Sequence, residues 1–189
     1  FTLDLDDSFI SAYEAINTAL FGQLDFEFRD FGQITLGIRL EDRSTDYADS
    51  SEMLLNPRET MVGGQLTVSY DFSDKLMSFV SLSKGYKAGG FNLGLVPDER
   101  REFEQEALWN FEVGIKSYWL NNTLNFNGSV FYNERSNQQV RTSFQLVPND
   151  PASFVFFTDN AAKGRTLGFE ADLRWQAKAP PEIDGALQE

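Results

Sequence analysis

Five carboxylates stand at alternate positions among apolar residues, where an acidic pair could carry out hydrolysis. They are Asp25, Glu27, Glu112, Glu170 and Asp172. Hydrolysis of a glycosidic bond uses two such groups that flank the scissile bond, one as the acid and the other as the base or nucleophile. Here each carboxylate shares its side of the segment with other polar residues, as on a solvated surface. We therefore predict no catalytic residue and no enzyme, and we interpret these carboxylates as groups that hydrate a polar face.

The segment from Gly85 to Gly90 could also do chemistry, because glycines beside a lysine can cradle a phosphate. It lacks the Gly-Lys-Ser/Thr ending and the following helix of a phosphate-binding loop, so we interpret it as a glycine-bearing barrel rim that opens a long loop. The chain contains no Cys and no His. This composition excludes thiolate or histidine metal ligation and a Ser-His-Asp triad within the chain. We expect no metal site and no cofactor.

Charge and hydropathy narrow the class of protein. The 189 residues include 16 Lys and Arg against 29 Asp and Glu, a net charge of −13, which argues against a nucleic-acid partner. Mean hydropathy is −0.36. No uninterrupted apolar stretch approaches the roughly 18 to 20 residues of a membrane-spanning helix. If the chain meets a membrane, we expect it to do so as a closed β-barrel, in which every backbone polar group is paired.

Residues 107–132 give the clearest structural signal. Apolar residues occupy alternate positions on both sides of a polar turn at residues 120–123, and polar residues fill the positions between them. A period of two with a short Asn-containing connection predicts an antiparallel hairpin. The side chains on one face are bulky and apolar, whereas those on the other face are polar and suited to contact with water. This combination is typical of strands with lipid on one side and water on the other. The apolar set is Trp109, Phe111, Val113, Ile115, Trp119, Leu124, Phe126, Val130 and Tyr132.

The same alternation recurs along the chain and predicts seven strands. They cover residues 15–28, 33–41, 62–72, 76–87, 107–119, 124–141 and 167–175. In the fourth strand we expect Val80, Leu82 and Tyr86 to share one face. Because seven is an odd number and too few to close a barrel of this kind, we expect the chain to be part of a larger one. The sequence opens directly at FTLDLDDS without a targeting segment, which suggests an interior piece of a longer protein.

The predicted connections alternate in length. Those after Phe28, Phe72 and Trp119 are short, whereas long ones cover residues 41–59, about 88–106 and a region centred on residues 148–151. All short turns therefore lie at one edge of the sheet, which is the pattern of outer-membrane barrels, and a Greek-key sandwich would mix the lengths. Aromatic residues gather near the short-turn edge, as an interfacial girdle would. They are Phe26, Phe28, Phe31, Tyr70, Phe72, Tyr118, Trp119 and Trp175.

Several short motifs recur in a fixed order over residues 13–170. These are Ala19-x-Phe21-Gly22-Gln23, Gly37-x-Arg39-x-Glu41, the segment SKGYKAGGFN at 83–92, Glu112-x-Gly114-x-Lys116, Phe131-Tyr132, and the series from Asn160-Ala161 through Arg165 to Gly168-x-Glu170. In this order and spacing the sequence resembles the barrel of the TonB-dependent outer-membrane receptors. Each motif is short, and the series as a whole makes the resemblance specific.

The resemblance implies a fold and a function. It implies an all-β, antiparallel, up-and-down transmembrane β-barrel of about 22 strands that encloses an N-terminal plug, with this chain supplying seven of the strands. Residues 1–189 would belong to a single barrel domain in the outer membrane of a Gram-negative bacterium, and the plug would lie outside the chain. Such receptors take up a scarce ligand, most often a ferric siderophore, using force from the TonB complex. The implied partners are lipid, the plug, the remaining strands and TonB, which would bind a segment outside this chain.

Candidate ligand contacts lie in and beside the long connections, where arginines and aromatic residues suit an anionic ferric chelate. They are Tyr86, Lys87, Arg100, Arg101, Arg135, Arg141 and Phe144. The absence of His argues against a haem ligand. Two alternatives stay open from the sequence: a passive porin-like or outer-membrane enzyme barrel, and a soluble β-sandwich or adhesin module.

Overall fold

The computed structural model describes residues 10–28, 31–94, 96–150 and 152–177. Its strands are β1 (Ser11–Glu27), β2 (Gly32–Asp49), β3 (Leu54–Leu55), β4 (Arg58–Ser73), β5 (Leu76–Lys87), β6 (Gly90–Phe91), β7 (Glu102–Phe103), β8 (Glu106–Trp119), β9 (Leu124–Gln145) and β10 (Phe154–Trp175). A 3-10 turn spans Asp98–Arg100. In the part of the chain described here, no helix is both long and apolar enough to cross a bilayer.

The seven long strands form one antiparallel sheet in the order β1-β2-β4-β5-β8-β9-β10, with β3 paired to β2. Each long strand thus pairs with the next long strand along the chain. The predicted seven strands and their up-and-down order are confirmed. The strands β6 and β7 form a separate two-stranded sheet.

One face of this sheet is apolar and uncovered. Cross-strand partners share a face, and a continuous row runs from Val80 through Val113 and Val130 to Phe169. Although apolar, Val130 is 56% exposed and Phe169 is 80% exposed. Apolar surface of this extent is not left in water by a soluble monomer. A β-sandwich would cover it with a second sheet, and the described residues form only the small β6–β7 pair besides the main sheet.

The short-turn edge carries the predicted aromatic residues. The ring of Tyr70 packs at 5.1 Å from that of Phe31 and at 4.9 Å from that of Phe72. Ser117, which interrupts the apolar pattern of β8, accepts a hydrogen bond from the Trp119 indole at 3.0 Å and donates one to the Phe126 carbonyl at 3.1 Å. The serine therefore anchors an indole N–H that would otherwise lack a partner next to lipid.

The turn between β8 and β9 explains why asparagine is found there. Leu120, Asn121 and Asn122 have φ angles of 50°, 54° and 67°, in the left-handed region that asparagine tolerates better than most residues. The Thr123 hydroxyl donates to the Leu120 carbonyl at 2.8 Å and closes the turn. The predicted four-residue hairpin connection is confirmed. In the turn after Phe28, the predicted residues Arg29 and Asp30 lie outside the described part of the chain.

At the opposite edge the strands are longer than predicted. The predicted loop at residues 41–59 is wrong over most of its length, because β2 continues to Asp49 and β4 already begins at Arg58. The ladder runs on through pairs such as Asp42 with Thr60 and Arg43 with Glu59. Beyond the apolar band the outward face of β2 carries Asp42, Ser44 and Asp46 in place of apolar residues. The alternation that marks a strand in the sequence therefore disappears while the backbone pairing persists.

The last two strands show the same difference. β9 extends to Gln145 rather than Arg141, and β10 begins at Phe154 rather than near Leu167. Their connection is reduced to residues 146–153, of which Pro151 is not described. The connections still alternate between short and long, as predicted. The longest one, at residues 88–105 between β5 and β8, is called the β5–β8 loop below.

Candidate ligand-binding site at the long-loop edge

The β5–β8 loop crosses the polar face of the sheet. The Phe91 ring packs at 5.1 Å from the ring of Tyr47 on β2. On the other side, the Asn92 amide donates to the Thr158 carbonyl of β10 at 2.8 Å, and the Thr158 N–H donates back to Asn92 at 2.7 Å. The loop is therefore tied to strands near both ends of the sheet. It forms a cover over the polar face at the long-loop edge.

Two of the predicted ligand-binding arginines hold this loop in shape. Arg101 donates to the backbone carbonyls of Asn92, Gly94 and Val96 at 3.2, 2.9 and 2.8 Å. The rigid fork of a guanidinium can bind several carbonyls at once in this way. Arg100 forms an ion pair with Asp159 of β10. Both side chains are thus engaged within the fold.

Arg135 is also engaged within the fold. It donates to the Glu106 carboxylate at 2.8 Å, and the other oxygen of this buried carboxylate accepts the Gln139 N–H at 2.9 Å. A buried carboxylate requires such partners because an unpaired one would be strongly destabilising. Arg135 therefore fixes the start of β8 against β9.

Tyr86 departs from its prediction. Its hydroxyl donates to Glu41 at 2.9 Å and accepts from Arg39 at 3.0 Å, and both of these residues lie on the polar face. The expectation that Tyr86 shares the apolar face with Val80 and Leu82 is therefore wrong. The last residue pair between β4 and β5 at this edge is Gly64 with Lys84. A Cβ atom added at the neighbouring Gly63 would lie 2.9 Å from the Tyr86 ring. The missing side chain at Gly63 leaves the space that the tyrosine fills.

The other three predicted residues lie on the strands β5 and β9 rather than in the β5–β8 loop. Lys87 is exposed at the end of β5. The Arg141 guanidinium lies 5.2 Å from the centroid of the Phe156 ring, a cation–π distance. The Phe144 ring meets Phe157 edge to face at 5.6 Å. The structure spreads the seven predicted residues along the long-loop edge and does not bring them into one site.

Beneath the loop lies a cavity of about 870 Å³ that the sequence did not indicate. None of the seven predicted residues lines it. Arg43 donates to the Tyr13 hydroxyl at 3.0 Å, while its buried Nε has no partner among the described residues. An unsatisfied buried donor is unusual and marks a place for an acceptor. The lining includes Tyr13, Arg43, Thr45, Glu59, Phe91 and Glu104.

The signal that could have found Arg43 is its spacing. It continues the alternation of Arg39 and Glu41 on the polar face, but the predicted strand ended at Glu41 and left Arg43 in a loop. Two of the three carboxylates that line the cavity, Glu59, Glu102 and Glu104, are already bonded. Glu59 accepts from the Gly89 N–H at 3.1 Å, and Glu104 accepts from the Asn137 amide at 2.8 Å. Among the described residues, no group of three or more carboxylates is placed to hold a metal ion.

A hydrogen-bonded pair closes the end of β2 beside the cavity. Burial and the hydrogen bond to Asp49 raise the pKa of the Tyr47 hydroxyl. Burial alone would raise the pKa of the Asp49 carboxyl. Hydrogen bonds from Tyr47 and from the N–H groups of Ser51 and Met53 outweigh burial and lower that pKa below its usual value. Asp49 therefore stabilises the turn that follows β2 only in its ionised form.

The fold is similar to parts of solved outer-membrane transporters. The ferric yersiniabactin uptake receptor FyuA from Yersinia pestis matches 89% of this chain at 20% identity and a TM-score of 0.67. The ferripyoverdine receptor of Pseudomonas aeruginosa matches 88% at 19% identity and 0.63. The copper transporter OprC matches 87% at 14% identity and 0.66. The chain spans 25%, 21% and 27% of these three proteins, respectively.

A family model described as "TonB dependent receptor-like, beta-barrel" matches residues 3–186, nearly the whole chain. The match agrees with the single up-and-down sheet, the exposed apolar face and the alternation of short and long connections. Members of this family and the structural neighbours are outer-membrane transport receptors rather than enzymes. The chain belongs to the TonB-dependent receptor β-barrel family and is part of a barrel wall in the outer membrane of a Gram-negative bacterium.

Proposed function

We propose that the intact protein imports a ferric siderophore across the outer membrane with energy supplied through TonB. In this proposal, residues 1–189 all belong to one barrel domain, and the plug, the remaining strands and the TonB-binding segment lie outside the chain. Family membership supports the energised mechanism. The neighbours FyuA and the ferripyoverdine receptor, which take ferric chelates, support the ligand class.

The observation that carries the ligand class is the cavity under the β5–β8 loop. Its volume of about 870 Å³ suits a chelate-sized molecule. The free Nε of Arg43 would donate to an anionic oxygen of the chelate, and the rings of Tyr13 and Phe91 would contact its apolar parts. Of the residues predicted from the sequence, Lys87, Arg141 and Phe144 do not line the cavity, and in this proposal they contact the ligand at the long-loop edge before it enters.

Transport by cells that carry the intact receptor tests the mechanism. The cells are given ⁵⁵Fe-loaded catecholate, hydroxamate and phenolate chelates in separate experiments. We expect the chelate that the receptor recognises to bind at the cell surface with or without TonB. We expect the chelate that binds to accumulate inside only when TonB is present. Accumulation without TonB would favour the passive-pore alternative and overturn the proposal.

A single substitution tests the cavity. Arg43→Gln removes the unpaired donor, and a hydrogen bond to a charged group contributes about 1.5–3 kcal/mol. We therefore expect binding of the ⁵⁵Fe chelate to weaken by roughly 10- to 100-fold. Arg174→Gln is the matched control, because Arg174 is exposed at the opposite edge and pairs only with Asp172 among the described residues. Equal affinity of the two variants would exclude this cavity as the ligand site.

A further inference from the structure

On the lipid-facing side, the apolar band ends in a row of charged and aromatic residues. Lys84 pairs with Trp109, Trp109 with Glu134, and Glu134 with Arg165, across the four adjacent strands β5, β8, β9 and β10. Two residues further along each strand, an entirely uncharged row follows on the same face: Leu82, Phe111, Tyr132 and Leu167. The charged row therefore lies directly at the boundary of the membrane, on the outside of the wall.

Cations outnumber carboxylates in this row and beside it, since Lys163 lies two residues before Arg165 on the same face of β10. Lys163 and Arg165 both approach Glu134, with N–O distances of 3.8 and 3.4 Å, and remain 61% and 65% exposed. The Lys84 ammonium lies 5.8 Å from the centroid of the Trp109 ring. Charged hydrogen bonds in proteins are shorter, at about 2.7–2.9 Å, so Glu134 binds its two cations loosely. Three cations face one carboxylate here, although the chain as a whole has a net charge of −13.

An apolar groove opens beside these charges. It has a volume of about 440 Å³ and is lined by Leu82, Trp109, Phe111, Tyr132 and Glu134. Four of the five lining residues are apolar or aromatic, and the only charged one is at the boundary row. The groove is continuous with the lipid-facing surface. It offers an acyl chain a place directly below the cations.

We propose that Lys84, Trp109, Glu134, Lys163 and Arg165, together with this groove, bind a phosphate-bearing lipid of the outward-facing leaflet. One acyl chain lies in the groove. One phosphate lies between Lys163 and Arg165, where it replaces their loose contacts to Glu134, and Lys84, three strands away in the same row, contacts the other end of the head group. Trp109 lies at the level of the head group, as indoles do at membrane interfaces.

The occupant is a lipid rather than a soluble anion because groove and cations adjoin on the hydrocarbon side of the wall. The other edge of the same face supports this assignment. It ends in exposed aromatic residues, Phe72, Trp119 and Trp175, rather than in a row of cations. The two membrane boundaries of the wall therefore differ in charge, as the two leaflets would if only the outward one carried the phosphate-bearing lipid.

The test uses the intact receptor in detergent, titrated with diphosphorylated lipid A and followed by native mass spectrometry. A Lys or Arg near a membrane surface changes the affinity for anionic lipid about fivefold. We therefore expect the double variant Lys163→Gln/Arg165→Gln to retain lipid A roughly 25-fold less well. Glu134→Gln frees both cations and should bind lipid A several-fold more tightly. Arg174→Gln, on the polar face of the same strand, should leave retention unchanged.

The opposite signs of the two effects separate a lipid site from a purely structural ion pair. Loss of retention in both Glu134→Gln and the double variant, or a change in neither, would overturn the proposal. Equal retention of phosphatidylcholine and lipid A would overturn it too, since the phosphate monoester would then be irrelevant. Displacement of lipid A by millimolar inorganic phosphate would show that the cations recognise a free anion and not a lipid.

Discussion

At the scale of single residues, the role of each arginine depends on which of its donors already have partners. Arg101 uses its donors on three backbone carbonyls of its own loop, whereas Arg43 keeps a buried Nε without a partner among the described residues. In the sequence, both are arginines in polar stretches. Residue type and position could therefore indicate the long-loop edge as the binding region. They could not distinguish a loop clamp from a ligand contact, because that difference lies in the three-dimensional contacts.

A pair of neighbouring residues tests the two faces of β9. Val130 is exposed on the apolar face, and Ser129 points to the other side. In lipid vesicles we expect Val130→Arg to lower the free energy of unfolding of the intact receptor by about 2–4 kcal/mol. Ser129→Arg, in contact with water, should lower it by about 1 kcal/mol or less. Reversible denaturant unfolding measures both.

A third variant separates lipid from a packed protein core. Lipid yields around a larger apolar side chain, so Val130→Phe should change stability little, whereas overpacking in a core destabilises by about 1–3 kcal/mol. If Val130→Phe proves as damaging as Val130→Arg, the lipid-facing assignment of β9 is wrong.

The carboxyl of Asp49 predicts a local response to acid. Its pKa is lowered in the folded state, so its contribution to stability is present above the unfolded pKa of about 4 and is lost as pH falls through the folded value. We expect the turn after β2 to open on acidification while the barrel stays folded. Hydrogen exchange of a peptide spanning residues 45–57, corrected for the intrinsic pH dependence, should show this opening. Asp49→Asn should exchange faster already at pH 7 and lose the pH response. A peptide with the same protection at all pH values in both proteins would refute this role.

At the scale of elements, the sequence predicted the strands well where a membrane imposes two different solvents. In β8 the alternation of Trp109, Phe111 and Val113 with polar residues matches the observed register. In β2 beyond Glu41 the outward positions are the polar residues Asp42, Ser44 and Asp46, so the sequence shows no alternation there although β1 and β4 both pair with β2. Strand ends in water are set by cross-strand hydrogen bonds, which leave no periodic trace in the sequence.

The alternation of connection lengths predicts the orientation of the wall. We expect Asn56, Asp98 and Asp150, in the long connections, to lie outside the cell, and Asp74 and Asn121, in short turns, to face the periplasm. Asp30 is expected on the periplasmic side as well, although it lies outside the described residues. Single cysteines at these positions of the intact receptor, probed on whole cells with an impermeant thiol reagent, should react only at the first three. Reaction of Asn121→Cys on intact cells would reverse the topology.

At the scale of the whole molecule, the sheet is an open segment of a closed structure. Among the described residues, β1 pairs only with β2, and β10 pairs only with β9. Unpaired strand edges cannot persist in hydrocarbon, because each exposed N–H or C=O group costs several kcal/mol there. Both edges must therefore pair with further strands, in keeping with a chain that spans about a quarter of the solved relatives.

The sequence predicted this incompleteness from the odd strand count. The cover over the polar face was not predictable, because long-range contacts such as that of Asn92 with Thr158 bring it about.

The assignment of this chain to a barrel wall is tested most directly by measuring whether lipid or water contacts each face of β9. Nitroxide labels placed one at a time at residues 126–132 of the intact receptor, in lipid vesicles, report collisions with oxygen, which concentrates in hydrocarbon, and with a water-soluble nickel complex. We expect strong oxygen collisions at Phe126, Gly128, Val130 and Tyr132, and weak ones at Asn127, Ser129 and Phe131. The nickel complex should not reach the first set. Absence of a period of two, or nickel access at Val130, would contradict the assignment of this chain to the wall of an outer-membrane barrel.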